Sequence, residues 1–438
     1  MRHALPKSYY LWTLGENFRK FPQVSSDQNV KLCIVGGGFA GVNTALSLAE
    51  KGWTKSNETV VVESDIIGFG ASGRNGGFAF AGFSRDEELL IKEVGAEKAK
   101  FLFNGTISGI NQIRDRAKKY EIDCDVVDHG VLWVNWFKDQ EVLLKRQTLL
   151  KETFGVDWKW VNKSEVQKML KSEQYNDALF EENALHFNPL KYVRGAAAAA
   201  ESQGVKVFEK SPATKLEKNG NGWKVTTPGG VINAEKVLLA SGGYLAGLDR
   251  KLDKAMLSVA TYVMVTEPLG DKLKSVIDTQ AAIYDTRFAF DYYRPLPDGR
   301  ILWGGRISIF DRSPESVQRV LMRDLLWVYP QLKGIKIDFA WSGMMGYTLH
   351  KMPYIGRVQD GLYLCQGFGG HGVASSSFGG ELAASSISEN RLTDRELIED
   401  YRVGPTYKPG GFGGVQAVYW WLQIRDELKN IKEKILAV

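Results

Sequence analysis

The amino-acid sequence predicts an α/β chain whose second part is α+β, and three observations carry that prediction. Residues 31–63 run as a buried strand ("LCIV"), a helix with apolar residues at helical spacing ("FAGVNTALSLAEKG") and a second strand ("TVVVE"), a βαβ unit. Strands of the same kind return in the middle ("VKVFE", "KVLLASGG") and near the end ("GLYLCQG"), so one domain is assembled from separated stretches. Between them, "HGVLWVNW" (129–136) and residues 284–310 alternate apolar and polar positions, as antiparallel strands do. At 438 residues the chain exceeds the size at which a single core stops growing, so two domains are expected. The predicted division gives 1–125, 184–250 and 341–438, the last with a C-terminal helix, to a nucleotide-binding domain. Residues 126–183 and 251–340 form a mixed antiparallel-sheet substrate domain.

Composition narrows the class. Apolar residues make up 44% and charged residues 24%, values of an ordinary globular chain. The net charge of +5 is spread thinly, and basic runs such as "DRAKKY" read as solvated helix faces, so no nucleic-acid partner is expected. Cys33, Cys124 and Cys365 lie far apart with no zinc-ligand spacing. Their apolar settings suggest buried reduced thiols, no metal and a reducing, cytoplasmic compartment. Neither a signal-peptide pattern nor a run of about 18 apolar residues occurs, so no leader or transmembrane segment is expected.

The first element of interest is the turn after the first strand. Gly36, Gly38 and Gly41 form GxGxxG, with Phe39 and Ala40 between the last two. The first glycine permits a tight turn, the second lets backbone approach a pyrophosphate, and the third lets helix and strand pack closely. The helix N-terminus adds unpaired N–H groups and a partial positive charge. Glu63 ends the second strand, with Ser64 beside it, where a ribose-binding acid is needed; its carboxylate disfavours a 2′-phosphate. The link "GWTKSNE" (52–58) is about four residues longer than the common version, at the end of the helix away from the phosphates.

A nicotinamide-binding domain continues from here into a helix, whereas this chain continues into "GFGASGRNGG". Glycines at 68, 70, 73, 76 and 77 let the backbone pass close to a longer cofactor, FAD. Ala71 lies within the same loop. Ser72 and Asn75 offer neutral hydrogen bonds, and Arg74 offers charge-assisted bonds to phosphate. Residues 85–120 then read as helical. "NPLKYVRGAAAAAESQG" (188–204) opens on proline and closes on glycine as a helix does, "GWKVTTPGGVINA" reads as a hairpin, and 314–328 reads as a helix.

The order "IVGGGFAG…VVVE…GFGASGRNGG" resembles the flavin-dependent amine and amino-acid oxidoreductases of the D-amino-acid oxidase superfamily, and within it the group of bacterial gamma-glutamylputrescine oxidoreductases. Further matches are "SYYLW", "DYYRPLPDGRILWGGR", "WSGMMGYTLHKMPYIG" and "GFGGHGVASSSFGGELAA", so the resemblance covers nearly the whole chain. It implies a Rossmann-type FAD-binding domain made of discontinuous segments. It also implies that backbone at Ala213 reads adenine, although plain strand packing would equally account for that residue. Ser241 and Gly242 resemble a second turn on the phosphate side.

"GLYLCQGFGGHGVASSSFGGELAAS" reads as strand, glycine turn and helix. A helix starting near Gly372 would aim its first N–H groups at the negative charge of a reduced flavin. Gly369, Gly370, Gly372, Val373 and Ala374 are the expected backbone contacts. His371 is a candidate base, with capping or packing as its other reading.

For the substrate, the segment resembling 341–346 commonly carries a carboxylate-clamping arginine in amino-acid oxidases of the superfamily, and this chain has Met345 there. A thioether cannot pair with a carboxylate, which points to an amine; Arg294 or Arg306 could still supply a charge. Tyr292, Trp303 and Trp341 are candidate substrate contacts, and Tyr293 and Arg294 join His371 as candidate catalytic residues, with core filling as the alternative for each aromatic. By alternation Tyr292 and Arg294 share one sheet face, Asp291 and Tyr293 the other. His350, where relatives commonly carry an acid, reads as a packing residue. "GASGRNGG" holds no His or Cys, so FAD is expected to be non-covalent. The expected activity is oxidation of a C–N bond in a primary or secondary amine, gamma-glutamyl-capped amines included, with oxygen as acceptor. Its rivals are transfer to a quinone or carrier, an amino-acid oxidase or dehydrogenase, and a flavoprotein without turnover.

Overall fold

The computed structural model describes residues 7–53, 58–244, 247–288, 290–389, 396–407 and 410–435. Residues 54–57 of the long link lie outside them. The βαβ unit is formed by strand Gln28–Val35, helix Phe39–Glu50 and strand Thr59–Val62. Its strands are rich in Val and Ile and buried on both faces, which suits the interior of a parallel sheet. Around them the order is Tyr354–Gln359, Leu362–Gln366, Gly230–Leu239, Gln28–Val35, Thr59–Val62 and Lys206–Phe208. All neighbours in that order are parallel except the first pair. The expected hairpin is present as Gly222–Thr227 against Gly230–Leu239.

Two predicted helices fall where the sequence places them. Pro189–Ser202 starts on proline behind an Asn188 cap, and Pro314–Val328 starts behind a Ser313 cap. The expected helical stretch 85–120 is divided by Gly95 into Glu87–Val94 and Ala96–Lys119.

The second sheet runs Ile337–Tyr347, Leu257–Thr266, Ile301–Ser308, Asp291–Pro295, Ala282–Asp285, Val131–Val134, Ala178–Glu181 and Lys159–Val161. Every pair is antiparallel except Ala282–Asp285 with Val131–Val134. Strand Ile337–Tyr347 crosses the expected boundary at 340/341 and pairs in this sheet. The alternation in "HGVLWVNW" does not mark a solvated face. Val131 and Trp133 enter the core shared with the nucleotide-side helices, and Leu132 and Val134 enter a second core beneath helix Pro314–Val328. That helix covers the face that alternation alone would leave wet.

The C-terminal helix Gly410–Ile435 docks on the rim of the second sheet. Tyr419 accepts the Ile307 N–H at 3.1 Å, and Asp426 accepts the Phe288 N–H at 2.7 Å. All three cysteines are buried and free. His350 packs between Tyr354 and Tyr401, with ring centroids at 5.3 and 4.7 Å. No helix among the described residues is long and apolar enough to cross a membrane.

Candidate active site

The first glycine turn is tight because little room remains around it. Gly36 has φ +117°, and a Cβ there would lie 2.6 Å from the Ala240 carbonyl oxygen. A Cβ on Gly41 would lie 2.0 Å from the Gly36 carbonyl oxygen, so only glycine lets the helix Phe39–Glu50 seat against the turn. Ala40 is buried behind it. Glu63 accepts N–H bonds from Gly37 at 2.8 Å and Asp65 at 3.0 Å, and the Ser64 hydroxyl donates to it at 2.9 Å. Burial raises the Glu63 pKa while these donors lower it. These donors hold the carboxylate in place at the end of the second strand.

The chain after Phe208 runs beside this carboxylate. Ser211 N–H donates to the Glu63 carbonyl at 2.8 Å, which brings the half-buried Ala213 to the same edge of the sheet. Ser241 lies beside Gly36, and its hydroxyl donates to the Val35 carbonyl at 3.2 Å. Gly242 has φ +56°, and the turn it opens abuts the second sheet: a Cβ on Gly346 would lie 2.8 Å from Gly243 N.

The loop 68–77 is a braced crossing between the two sheets. The Ser72 hydroxyl accepts the Phe39 N–H at 2.8 Å, tying loop to helix start just beyond Gly38. Asn75 closes the loop on itself, donating to the Ala71 and Ser72 carbonyls at 2.9 and 3.0 Å and accepting the Gly77 N–H at 2.7 Å. Its expected bond to cofactor is corrected: the amide is consumed in holding the turn. Arg74 is different. Its Nε donates to the Phe69 carbonyl at 2.7 Å and its guanidinium lies 4.4 Å from the Phe69 ring centroid. Its Nη2 is buried with no partner among the described residues. Burial lowers its pKa, which an arriving phosphate would reverse.

Arg294 is corrected as a catalytic candidate. It is 1% exposed and gives Nε to the Gly76 carbonyl at 2.8 Å and Nη2 to the Phe187 carbonyl at 2.8 Å. Nη1 meets His186 Nδ1 at 3.1 Å. Its forked donors hold the loop from behind, joining the Gly76 carbonyl to that of Phe187. Trp341, expected at the substrate, also serves the loop: it is 1% exposed, and its indole N–H donates to the Arg74 carbonyl at 2.9 Å.

The two faces of the second sheet decide the remaining aromatics. Trp133, Tyr284, Tyr292 and Gly304 are paired across neighbouring strands and share the face toward the glycine loop. Tyr293 and Trp303 pair on the opposite face, stacked at 4.3 Å and 7° in the second core, where the Tyr293 hydroxyl meets that of Tyr329 at 3.0 Å. Neither can reach the site, so the roles expected for Tyr293 and Trp303 are withdrawn. Period-two alternation separates the two sets but does not say which face is inward. Tyr292 packs on Phe78 at 5.6 Å and sits where a Cβ on Gly76 or Gly304 would fall.

At the third turn, the Ser84 hydroxyl takes the N–H groups of Gly370 at 2.9 Å and His371 at 3.2 Å. These two donors are therefore not free for an anion, contrary to the sequence expectation for Gly370. Gly369 has φ +62° and packs on Ser84 and Tyr347. Helix Gly372–Glu389 starts directly afterwards, and its first N–H groups, at Gly372, Val373 and Ala374, have no acceptor within the helix. Met345 borders this turn, its sulfur 4.0 Å from where a Cβ on Gly370 would lie.

His371 packs edge-on to Phe80 at 4.8 Å, and its Nδ1 is buried without a partner among the described residues. Burial, with Arg146 adding, lowers its pKa to about 4, so the ring is neutral near pH 7.

Several residues of this region carried no readable signal. Ser84 and Phe80 follow the glycine loop in "GGFAFAGFS" but match no motif. Tyr284, Arg146 and Glu181 look like any strand tyrosine, helix arginine or surface acid until the sheet brings them together. Taken as a whole, the residues fit a long dinucleotide. Two glycine turns have no space for a side chain, a buried guanidinium N–H lacks a partner among the described residues, a buried acid ends the second strand, and a helix starts at the third turn.

Comparison with known proteins agrees. Residues 31–386 match the family described as DAO, FAD dependent oxidoreductase. The chain is 33% identical over 431 residues to gamma-glutamylputrescine oxidoreductase of Escherichia coli, covering 96% of this chain and 98% of that one. It is 25% identical over 379 residues to a glycine oxidase of Bacillus licheniformis, covering 84% and 95%. The crystal structure of glycine oxidase from Geobacillus kaustophilus shares the fold, with a TM-score of 0.70 at 20% identity, covering 86% of this chain and 100% of that one. The L-proline dehydrogenase of P. horikoshii shares it equally, with a TM-score of 0.70 at 19% identity over 86% and 98%. The chain therefore belongs to the DAO family of FAD-dependent oxidoreductases, and FAD is its cofactor.

Proposed function

We propose that the protein oxidises the C–N bond of a primary or secondary amine, with gamma-glutamyl-capped amines among its substrates, and binds FAD without a covalent link. The observation that supports this most is the combination at Met345. A thioether borders the third turn where amino-acid oxidases resembling this chain would carry an arginine. The two arginines that could replace it are engaged. Arg294 is turned to the back of the loop, and Arg306 donates Nε and Nη2 to Asp324 at 2.7 and 2.6 Å. An α-carboxylate would find neither of these guanidiniums available beside the reacting carbon.

Arg74 Nη2 and the first glycine turn would hold the diphosphate, Glu63 the ribose and Ala213 the adenine edge; Ser241 and Gly242 would close the phosphate side. FAD held by these residues would supply the two-electron acceptor for the hydride on the carbon that bears the nitrogen. The N–H groups of Gly372, Val373 and Ala374 would face the charge that develops on the ring. Tyr292, Phe80 and Tyr284 wall the substrate side and keep water out of it. A histidine held to about pKa 4 is a weak proton acceptor, so His371 Nδ1 serves to receive a hydrogen bond from the neutral amine and orient it.

Oxygen is the proposed electron acceptor. Titration of the purified yellow protein with amines and with α-amino acids, followed by its visible spectrum, tests the reading. Bleaching by amines is expected, and bleaching by amino acids alone would overturn it. Mixing the reduced protein with oxygen then separates an oxidase, which recovers its colour quickly, from a dehydrogenase.

A further inference from the structure

A second polar cluster lies on the same side of the substrate sheet, beyond the residues assigned above. Glu181 ends strand Ala178–Glu181 and is 4% exposed. Its Oε1 accepts the Ala81 N–H at 2.9 Å, and its Oε2 has no partner among the described residues. Arg146, from helix Glu141–Leu149, lies over the rings of Trp133 at 4.8 Å and Trp158 at 5.0 Å. It donates Nη2 to Glu87 at 2.7 Å and leaves Nε unpartnered, while 19% of its side chain remains accessible. Buried polar atoms are seldom left unpaired, and two of opposite charge type in one place ask for a ligand that is both acceptor and donor.

An aromatic wall connects this cluster to the reacting end. The His371 ring meets Phe80, Phe80 stacks on Tyr284 at 5.2 Å, and Tyr284 lies 6.2 Å from Trp133, over which Arg146 sits. Ala81, which binds Glu181, directly follows Phe80 in the chain. We infer that Arg146 and Glu181 form a subsite for the far end of the substrate, an α-amino-acid head whose carboxylate meets Arg146 and whose ammonium meets Glu181 Oε2. The inference rests on the amine reading and adds what the amine must carry. A simple monoamine would leave both groups unsatisfied. A second bare ammonium would suit Glu181 but lie against the Arg146 cation. A lone carboxylate would suit Arg146 but face Glu181. A zwitterionic head meets both with a full opposite charge, which a neutral amide or hydroxyl does not. Glu87 already takes one edge of Arg146, which holds the guanidinium in place. Burial raises Glu181 to about pKa 7, so an incoming ammonium would draw it into its ionised form.

The test compares two substrates on the FAD-loaded protein: a four-carbon diamine capped at one end by a gamma-glutamyl group, and the same diamine capped by acetyl. Both offer the same reactive amine, and only the first has a zwitterionic head. The unaltered protein should prefer the gamma-glutamyl form by about a hundredfold in kcat/KM, the worth of two charge-assisted bonds at about tenfold each. Glu181→Gln and Arg146→Met should each lower that preference about tenfold, the loss appearing in KM. Equal use of both substrates by the unaltered protein would overturn the subsite while leaving amine oxidation intact. Variants that bind flavin and keep the full preference would do the same. If neither diamine bleaches the flavin, the amine reading falls and the subsite with it. Glu181→Gln keeps the side chain's shape and its acceptor for the Ala81 N–H, so it decides the assignment should Arg146→Met fail to fold.

Discussion

Arg294 and His186 form a buried pair in which one member must stay neutral. His186 Nδ1 faces the guanidinium at 3.1 Å and Nε2 meets the Gln280 carbonyl at 2.8 Å, so the proton resides on Nε2. Burial, reinforced by Arg294, lowers the His186 pKa to about 3. The unfolded chain protonates this ring near its ordinary value of 6.5, and the native protein does not, so stability is lost as pH falls below about 6.5. The loss attributable to His186 is about 2 kcal/mol at pH 5. His186→Gln should melt lower at pH 7 but lose less on acidification; the gap in Tm should narrow between pH 7 and 5. Taking the difference removes the opposite contribution of Glu181, which is present in both proteins. Met345 carries a second expectation at this scale. Met345→Arg should lower amine kcat/KM by about tenfold and raise turnover of a small amino acid, since a guanidinium there can pair with an α-carboxylate. Oxidation rates with a matched amine and amino acid would check it. The motif made the tight turn at Gly36 and the acid at the strand end, Glu63, legible as positions. Arg294 and Asn75 have the right chemistry for a ligand, but the fold uses it on backbone carbonyls. One-dimensional pattern cannot tell a donor facing a cavity from one facing a loop.

Among the elements, the glycine turns are the parts whose sequence and geometry agree most closely. Gly36 combines a left-handed φ with contact against Ala240, so Gly36→Ala should destabilise the domain by about 2 kcal/mol and release FAD. The ratio of flavin absorbance to protein absorbance after purification would measure this, and a fully yellow variant would refute it. The strands were harder to read in the second sheet than in the first. In "DYYRPL" the alternation places Tyr292 and Tyr293 on different faces, but a helix covers one face and the cofactor side covers the other, so both look apolar. The stretch 129–136, read as an antiparallel strand, pairs so with Ala178–Glu181, and its two faces look alike for the same reason. The faces become distinguishable only once helix Pro314–Val328 is placed, and that is a tertiary fact.

Over the whole molecule, the nucleotide-side sheet draws its strands from 28–62, 206–239 and 354–366, and the substrate-side sheet from 131–181 and 257–347. The return of nucleotide-type strands at three places made this interleaving legible, while the exact exchange point near 340 was not, because strand Ile337–Tyr347 carries no break at that position. A chain stopped after residue 340 lacks Leu362–Gln366 and the third glycine turn, so it should purify colourless even when supplied with FAD. The interleaving also bears on synthesis. While the ribosome is still translating the middle of the message, strand Gln28–Val35 has no neighbour on the side that Gly230–Leu239 will fill. For that interval the nascent polypeptide presents a naked, valine-rich backbone rim, a template for mispairing with a sister chain. Slower translation at low temperature with ample riboflavin should therefore raise the soluble yield.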